Sequence, residues 1–294
     1  MTSTTGAHPE PAAAMNDHEL ALALATAAGT RLLEVRAEHA AAGSPGKTIK
    51  DAGDAASQAL LADLLARTRP DDAVLSEEAA DDAARLSARR VWIVDPLDGT
   101  REFSELDRSD WAVHVALWQD GDLVAGAVTM PAADIAYGTG QPEPAPTGAP
   151  ARIRLAVSRT RPPAFVQALA DLLDAELVPM GSAGVKATSV LRDECDAYVH
   201  AGGQYEWDSA APVAVARAAG LFTSRIDGSP LVYNRPDPTL PDLIVCRPEI
   251  SRVILDAIRS TTDSGTDATP ADTSPTNHTD HPTDTDTTAG AAKA

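Results

Sequence analysis

Asp95 and Asp98 stand three residues apart in Asp95-Pro96-Leu97-Asp98-Gly99-Thr100, and carboxylates at that spacing across a turn can converge on one hard cation. The backbone carbonyl of Leu97 lies between them and can join the same ion. Val91-Trp92-Ile93-Val94 precedes the pair as an unbroken apolar run, which predicts a buried strand rather than a half-exposed one. Pro96 then fixes the backbone, and Gly99 permits a sharp turn into Thr100. Upstream, Val74-Leu75-Ser76-Glu77-Glu78 is a second short strand ending in acid. Oxygen ligands delivered by two neighbouring strand ends suit Mg²⁺, which keeps part of its water shell for a phosphate. Alone, Asp98 reads as readily as a helix cap or a solvated acidic turn. The whole constellation points to metal chemistry.

Those carboxylates need elements to hold them. Leu20, Leu24, Ala28, Leu32 and Val35 recur at helical spacing, so a long amphipathic helix is expected from Met15 to about Ala41, ended by Gly43-Ser44-Pro45-Gly46. A second helix is expected from about Asp54 to Arg67. Beyond Phe103 the chain is strand-rich. Trp111–Trp118 and Leu123–Val128 read as a hairpin about Asp120-Gly121, with His114 a structural residue inside it. A short strand near Ile135–Tyr137 leads into a flexible link, Thr139 to Pro150. In the second half, strands are expected at Ile153–Val157, Glu176–Val178, Ala197–His200, Leu221–Thr223 and Asp242–Cys246. Helices are expected from Pro162 to Leu173, from Gly181-Ser182-Ala183-Gly184 to about Leu191, up to Ala219 with Asp208 as its cap, and from Pro248 to Ile258.

Composition narrows the function. The 294 residues carry 43 acids against 24 lysines and arginines, a formal charge of -19, which argues against binding a nucleic-acid polymer. A small anionic substrate remains compatible, because bound metal reverses the local potential. Two cysteines, Cys195 and Cys246, make no disulfide framework and fit a reducing compartment. Without an export signal or an 18-residue apolar run, a soluble cytoplasmic protein away from membranes is expected. Four segments follow: a flexible 1–14, a first α+β domain over 15–150 with the main metal motifs, a second α/β domain over 151–259 completing the cleft, and a disordered Thr- and Asp-rich tail over 260–294.

Ser76-Glu77-Glu78, Asp95-Pro96-Leu97-Asp98-Gly99-Thr100 and Glu206-Trp207-Asp208-Ser209-Ala210-Ala211 occur in that order. Together they resemble the inositol monophosphatase superfamily of metal-dependent, lithium-sensitive phosphatases, over about Met15 to Ile258. Leu75-Ser76-Glu77-Glu78, Arg101-Glu102-Phe103, Gly181-Ser182-Ala183-Gly184-Val185-Lys186 and Gly202-Gly203-Gln204-Tyr205 make the likeness nearest to its 3'(2'),5'-bisphosphate nucleotidase, CysQ-like branch of actinobacterial type.

The resemblance implies a layered α-β-α-β-α sandwich like those of fructose-1,6-bisphosphatase and inositol monophosphatase, with a larger antiparallel sheet in the first half. It implies Glu77, Asp95, Asp98, Asp208 and the Leu97 carbonyl as Mg²⁺ ligands, with Asp208 reaching a second metal. Glu77, Thr100 and Asp54 become the catalytic residues, Thr100 bonding the attacking water. Asp54 matches the family's upstream aspartate, although Ile49-Lys50-Asp51-Ala52-Gly53 replaces the usual Ser-Pro-Val-Thr before it. Gly99, Thr100, Arg101, Gly181, Ser182, Lys186 and Asp208 become substrate contacts. The activity implied is hydrolysis of 3'-phosphoadenosine 5'-phosphate to AMP, with 3'-phosphoadenosine 5'-phosphosulfate a second substrate, in sulfur assimilation and in a homodimer. Inositol 1-phosphate and fructose 1,6-bisphosphate are the alternative substrates, and a non-catalytic metal or nucleotide sensor is the alternative of another class.

Overall fold

The structure, a computed structural model, describes residues 15–263. Helix α1 (Asp17–Ala41) opens on a capping box: the Asn16 side chain accepts the Glu19 amide while the Glu19 carboxylate accepts the Asn16 amide. Helix α2 (Gly46–Thr68) begins at Gly46 rather than near Asp54, which corrects the sequence expectation. Glycines weaken its first turns intrinsically, but packing holds them. Ile49 is buried, and a Cβ on Gly53 would meet Phe103 Cε1 at 2.6 Å and Leu97 Cδ2 at 2.9 Å. The segment before Asp54 is therefore helix and not loop.

Strands β1 (Ala73–Ser76), β2 (Arg90–Asp98), β3 (Ala112–Gln119), β4 (Asp122–Met130) and β5 (Ile135–Gly138) form one sheet in chain order. β1 runs parallel to β2, and every later pair is antiparallel. Asp120 and Gly121 both take positive φ, as the two-residue β3–β4 turn requires. The short helix α3 (Thr100–Ser104) follows β2 directly.

The second half contributes β6 (Arg154–Ser158), α4 (Ala164–Leu173), β7 (Glu176–Met180), α5 (Ala183–Thr188), β8 (Ala197–Tyr205), α6 (Glu206–Ala218), β9 (Phe222–Ser224), β10 (Thr239–Cys246) and α7 (Ser251–Asp263). Its sheet, ordered β7-β6-β8-β10-β9, is mixed and also five-stranded, but its strands are shorter in sum, so the first sheet is the larger in residues, as expected. Strand β8 does not stop at His200. Gly202 and Gly203 take φ of 83° and 75° and carry the chain on to Tyr205, paired to the early residues of β10 through an irregularity at Leu240/Asp242. Helix α5 ends at Thr188, short of Leu191, and α7 runs past Ile258.

Three apolar layers join these parts. On the outer face of the first sheet, Leu20, Leu24, Leu32 and Leu61 of α1 and α2 pack with Trp92, Val94, Val113 and Val115. Between the sheets, Val185, Ala211 and Val213 of α5 and α6 fill the space bounded by Val91, Ile93, Leu243 and Val245. On the far face, Leu169, Ile254 and Ile258 of α4 and α7 cover Leu155, Val199 and Ile244. Burial on both sides explains why β2 reads as an unbroken apolar run. The architecture is the expected α-β-α-β-α sandwich. The 139–150 segment is irregular but tied down: Ala145 N donates to Ala219 O at 3.0 Å, and Gly148 N to Glu249 Oε1 at 2.9 Å. Cys195 and Cys246 are buried and unpaired. Among the described residues, no helix is long and apolar enough to cross a membrane. The expectations for 1–14 and for the tail beyond Asp263 fall outside the described residues.

Candidate active site

Strand β2 delivers its two aspartates where its pairing with β3 loses register. Asp95 lies opposite His114 and Asp98 opposite Ala112, so three steps along β2 answer two along β3. The Leu97 amide closes this bulge on Asp95 Oδ1 at 3.0 Å. Gly99 then takes φ 86°, and a Cβ there would sit 3.2 Å from Ser182 Cβ and 3.3 Å from the Asp110 carbonyl. Thr100 opens α3, and its Oγ1 donates to the Leu97 carbonyl at 3.1 Å.

Two further elements bring acid to the same place. Glu77 follows β1, with its amide on the Val94 carbonyl at 3.3 Å and its carboxyl hydrogen-bonded to Asp95. Asp208 lies in the first turn of α6 and accepts the Tyr205 amide at 2.7 Å, capping the helix start. Asp95, Asp98 and Asp208 each offer a carboxylate oxygen, and the three oxygens lie within 4.8 Å of one another. Asp208 is thus a cap and a member of the cluster at once. Glu77 stands beside this triad through Asp95.

The acids differ sharply in charge preference. Burial, then the proximity of Asp208, pushes Glu77 up to about 8; the residue as a whole is exposed, but its carboxyl end is packed among acids. Burial and the Glu77 carboxyl push Asp95 well above the usual range, and burial with Asp98 pushes Asp208 up to about 7. Asp98 goes the other way. Burial opposes its charge, yet His114, Lys186 and Ser182 overcome that and hold it well below the usual range. Its Oδ2 accepts the Ser182 hydroxyl and, at 2.7 Å, the Gly184 amide.

The remaining predicted residues fall into two groups. Ser182 and Lys186 face Asp98 from the second half, while Gly181 packs on Glu102 and Asp110. A Cβ on Gly181 would lie 2.4 Å from Glu102 Cγ, its amide donates to Asp110 Oδ2 at 2.6 Å, and the buried Lys186 ammonium donates to the Gly181 carbonyl at 3.3 Å and to that of Ser182. Arg101 is exposed on the cleft wall. Asp54 is not among the converging oxygens. It sits mid-helix in α2, where burial and the neighbouring Glu78 push it up to about 7.

His114 is structural, as expected, but sequence reasoning missed its contact with Asp98. It is fully buried, its Nδ1 lies 3.2 Å from the Trp207 carbonyl, and its Nε2 is 3.3 Å from Asp98 Oδ2. Gly184 covers it so closely that a Cβ would come within 2.0 Å of Nε2. Its register opposite Asp95 was the available signal, visible only once the strands are paired.

These groups open onto a cleft of about 290 Å³, lined by Asp98, Thr100 and Asp208 among the acids, by Arg159 and Arg161 from the loop after β6, and by His200 of β8. Another cavity of about 300 Å³, between α2 and the β1 edge, contains none of the candidate residues. The cluster fits a divalent cation. Its donors are all carboxylate oxygens, they converge from three chain segments, and neighbouring acids oppose one another's ionisation as they would where a cation supplies the balancing charge.

The chain matches the model of the inositol monophosphatase family over residues 16–261. It is 49% identical over 259 residues to a 3'-phosphoadenosine 5'-phosphate phosphatase of Mycobacterium leprae, covering 84% of this chain and 95% of that one. To the protein of the same name in Mycobacterium tuberculosis it is 51% identical over 239 residues, 79% and 89% of the two chains. Among solved structures, inositol monophosphatase II of Staphylococcus aureus superposes with a TM-score of 0.72 at 22% identity, over 85% of this chain and 96% of that one.

Proposed function

The chain belongs to the inositol monophosphatase family, and from that premise we propose that it is a Mg²⁺-dependent 3'(2'),5'-bisphosphate nucleotidase, removing the 3'-phosphate of 3'-phosphoadenosine 5'-phosphate to leave AMP. The observation that carries this reading is identity of about half the aligned residues, across most of both chains, to the mycobacterial 3'-phosphoadenosine 5'-phosphate phosphatases. Hydrolysis of 3'-phosphoadenosine 5'-phosphosulfate, and a place in the recycling of a by-product of sulfate activation, go with the same proposal.

Asp95, Asp98, Asp208, Glu77 and the Leu97 carbonyl are the groups we assign to Mg²⁺. When bound, the ion supplies Lewis-acid polarisation of the phosphate and a more acidic water. The chain does the rest. Thr100 Oγ1, already aimed along the Leu97 carbonyl, orients the attacking water, and Glu77, which a bound cation would hold ionised, takes its proton. Asp98 stays ionised because Ser182 and the Gly184 amide hold its Oδ2, which fixes one anionic corner of the site. Attack is direct and in line. Both thiols are buried in the apolar core, away from the cleft, so no phosphoenzyme nucleophile is assigned. Phosphate release measured over 3'-phosphoadenosine 5'-phosphate, inositol 1-phosphate and fructose 1,6-bisphosphate, with the product identified, tests the reading. The first substrate is expected to give the highest kcat/KM, with AMP as product. A higher value for either of the others, or release of adenosine 3'-phosphate, would overturn it.

A further inference from the structure

Arg101, Arg159, Arg161, Lys186 and His200 are the basic residues lining the cleft. Four of them are committed or misplaced for gripping the remote part of a substrate. The Arg159 guanidinium bridges Glu102 at 2.7 Å and Glu105 at 3.0 Å. The Lys186 ammonium is buried and bonded to the Gly181 and Ser182 carbonyls. His200 bonds the Gly202 carbonyl through Nε2, and burial pushes it down to about 4, so it is neutral at neutral pH. Arg101 lies on the first turn of α3, next to Thr100, at the reacting end.

Arg161 is different. It is exposed, and among the described residues its side chain makes no ion pair. It comes from the loop between β6 and α4, in the sheet that does not carry Asp95 and Asp98, and that loop is anchored by the Arg161 amide on Ser158 Oγ at 3.3 Å. A chain with a net charge of -19 has no general field to draw in a multiply charged anion. A local cation with no protein partner, brought into the same cleft by the second half of the chain, supplies what that field does not.

The geometry points to Arg161 as the contact for the second, non-reacting phosphate of a nucleoside bisphosphate, the group that separates this substrate class from nucleoside monophosphates. The inference rests on the nucleotidase reading above and adds the residue that selects for the distal charge. Guanidinium matches phosphate in a paired, planar geometry that lysine reproduces poorly. Because the contact is remote from the reacting bond, it is made in ground and transition states alike and belongs in KM rather than kcat.

The test compares 3'-phosphoadenosine 5'-phosphate with adenosine 3'-phosphate, which lacks only the distal group, at saturating Mg²⁺. Arg161→Ala should lower kcat/KM for the bisphosphate about 10- to 100-fold, mainly by raising KM, as expected for loss of one charge-assisted contact. It should leave the monophosphate within about twofold, and Arg161→Lys should fall between. Equal losses on both substrates, or no loss on the bisphosphate, would overturn the inference. Binding of AMP against adenosine, measured by calorimetry, decides Arg161 without catalysis: AMP should lose its advantage in Arg161→Ala, and a retained advantage rules the contact out. If the wild type releases no phosphate from 3'-phosphoadenosine 5'-phosphate, the nucleotidase reading fails, and the AMP comparison still settles the distal subsite.

Discussion

At one end of the cleft, Asp95, Asp98 and Asp208 sit on a strand bulge and a helix first turn, with their oxygens fixed by backbone amides. From the second half, the exposed Arg161 lines the same cleft on a short loop held by the Arg161 amide on Ser158 Oγ and the Arg159 amide on the Met180 carbonyl. The carboxylate end gathers groups that resist ionising together, whereas the loop end offers a cation with no partner. Charge at the first end is balanced by what binds there, and geometry is prepaid by the fold. At the second end the contact forms only when substrate arrives. The difference predicts that damage to the first end falls on kcat, while damage to the second falls on KM and on substrate ranking.

The largest effect should come from Asp95→Asn. The side chain is almost isosteric, so the fold stays, but one anionic ligand is lost and kcat should fall about 10³-fold or more, the scale lost when a catalytic metal is displaced. Removing a buried like charge from an acid cluster should not lower the melting temperature of the metal-free protein. The rise in melting temperature on adding Mg²⁺ should shrink or vanish. A folded variant with near-normal turnover would remove Asp95 from the metal site.

Next in size is Gly184→Ala, which leaves every charged group in place and attacks their setting. The new methyl would overlap the His114 ring, so α5 or the ring must move. Overpacking of this kind costs about 1–3 kcal/mol. A displacement near 1 Å of the Gly184 amide from Asp98 should lower kcat by about 10²-fold. Chemical denaturation and initial rates measure the two losses separately. If both stay small, the contact between the halves at Gly184 and His114 is not what shapes this end.

Much of this end was legible beforehand because it is written in contiguous residues. Asp95-Pro96-Leu97-Asp98-Gly99-Thr100 declares a strand, a bulge and a turn through local chemistry, and Glu206-Trp207-Asp208 declares a helix start. Other parts depend on pairing across the chain. Helix α2 begins at Gly46 because Phe103 and Leu97 close on Gly53, a contact that no local propensity reports. Strand β8 continues through two glycines because β10 supplies partners. His114 looked like any residue of an alternating strand, and its role follows from lying opposite Asp95 and beneath Gly184. Arg161 belongs to no motif; it is exposed and without an ion pair among the described residues, as Arg101 is, and differs from Arg101 in coming from the β6–α4 loop rather than from beside Thr100.

The loop end also carries a pH signature of its own. His200 is neutral in the fold because burial outweighs the Gly202 carbonyl and Asp242, which favour its charge, with Lys186 opposing it. Its folded pKa of about 4 lies below the unfolded value of about 6.5, so the unfolded chain takes up the proton first. The contribution is complete above about pH 6.5 and is lost as the pH falls through about 4. Part of the ring reaches solvent, so about 1–2 kcal/mol is expected rather than the full shift. His200→Gln, which cannot titrate, should show a shallower fall in stability between pH 6.5 and 4 than the wild type. Parallel curves would place the acid sensitivity elsewhere.

The smallest effect should come from a change that touches neither end. From Thr261 onward the sequence has no Leu, Ile, Val or aromatic residue, so it offers nothing with which to extend the apolar layer that closes at Ile254 and Ile258. That layer lies on the outer face of the second sheet, separated by the sheet itself from α5, α6 and the carboxylates. Deleting residues 264–294 keeps α7 whole and should change kcat/KM for 3'-phosphoadenosine 5'-phosphate by less than about twofold. The melting temperature should move by no more than about 2 °C, since a surface change worth under 0.5 kcal/mol has little leverage on a domain of this size. The tail is acidic, so its removal tests the field argument as well: at low salt KM for the bisphosphate should fall slightly, and the gain should disappear as salt is raised. A large loss of turnover would mean that both ends of the cleft depend on a segment with no apolar means of docking against them.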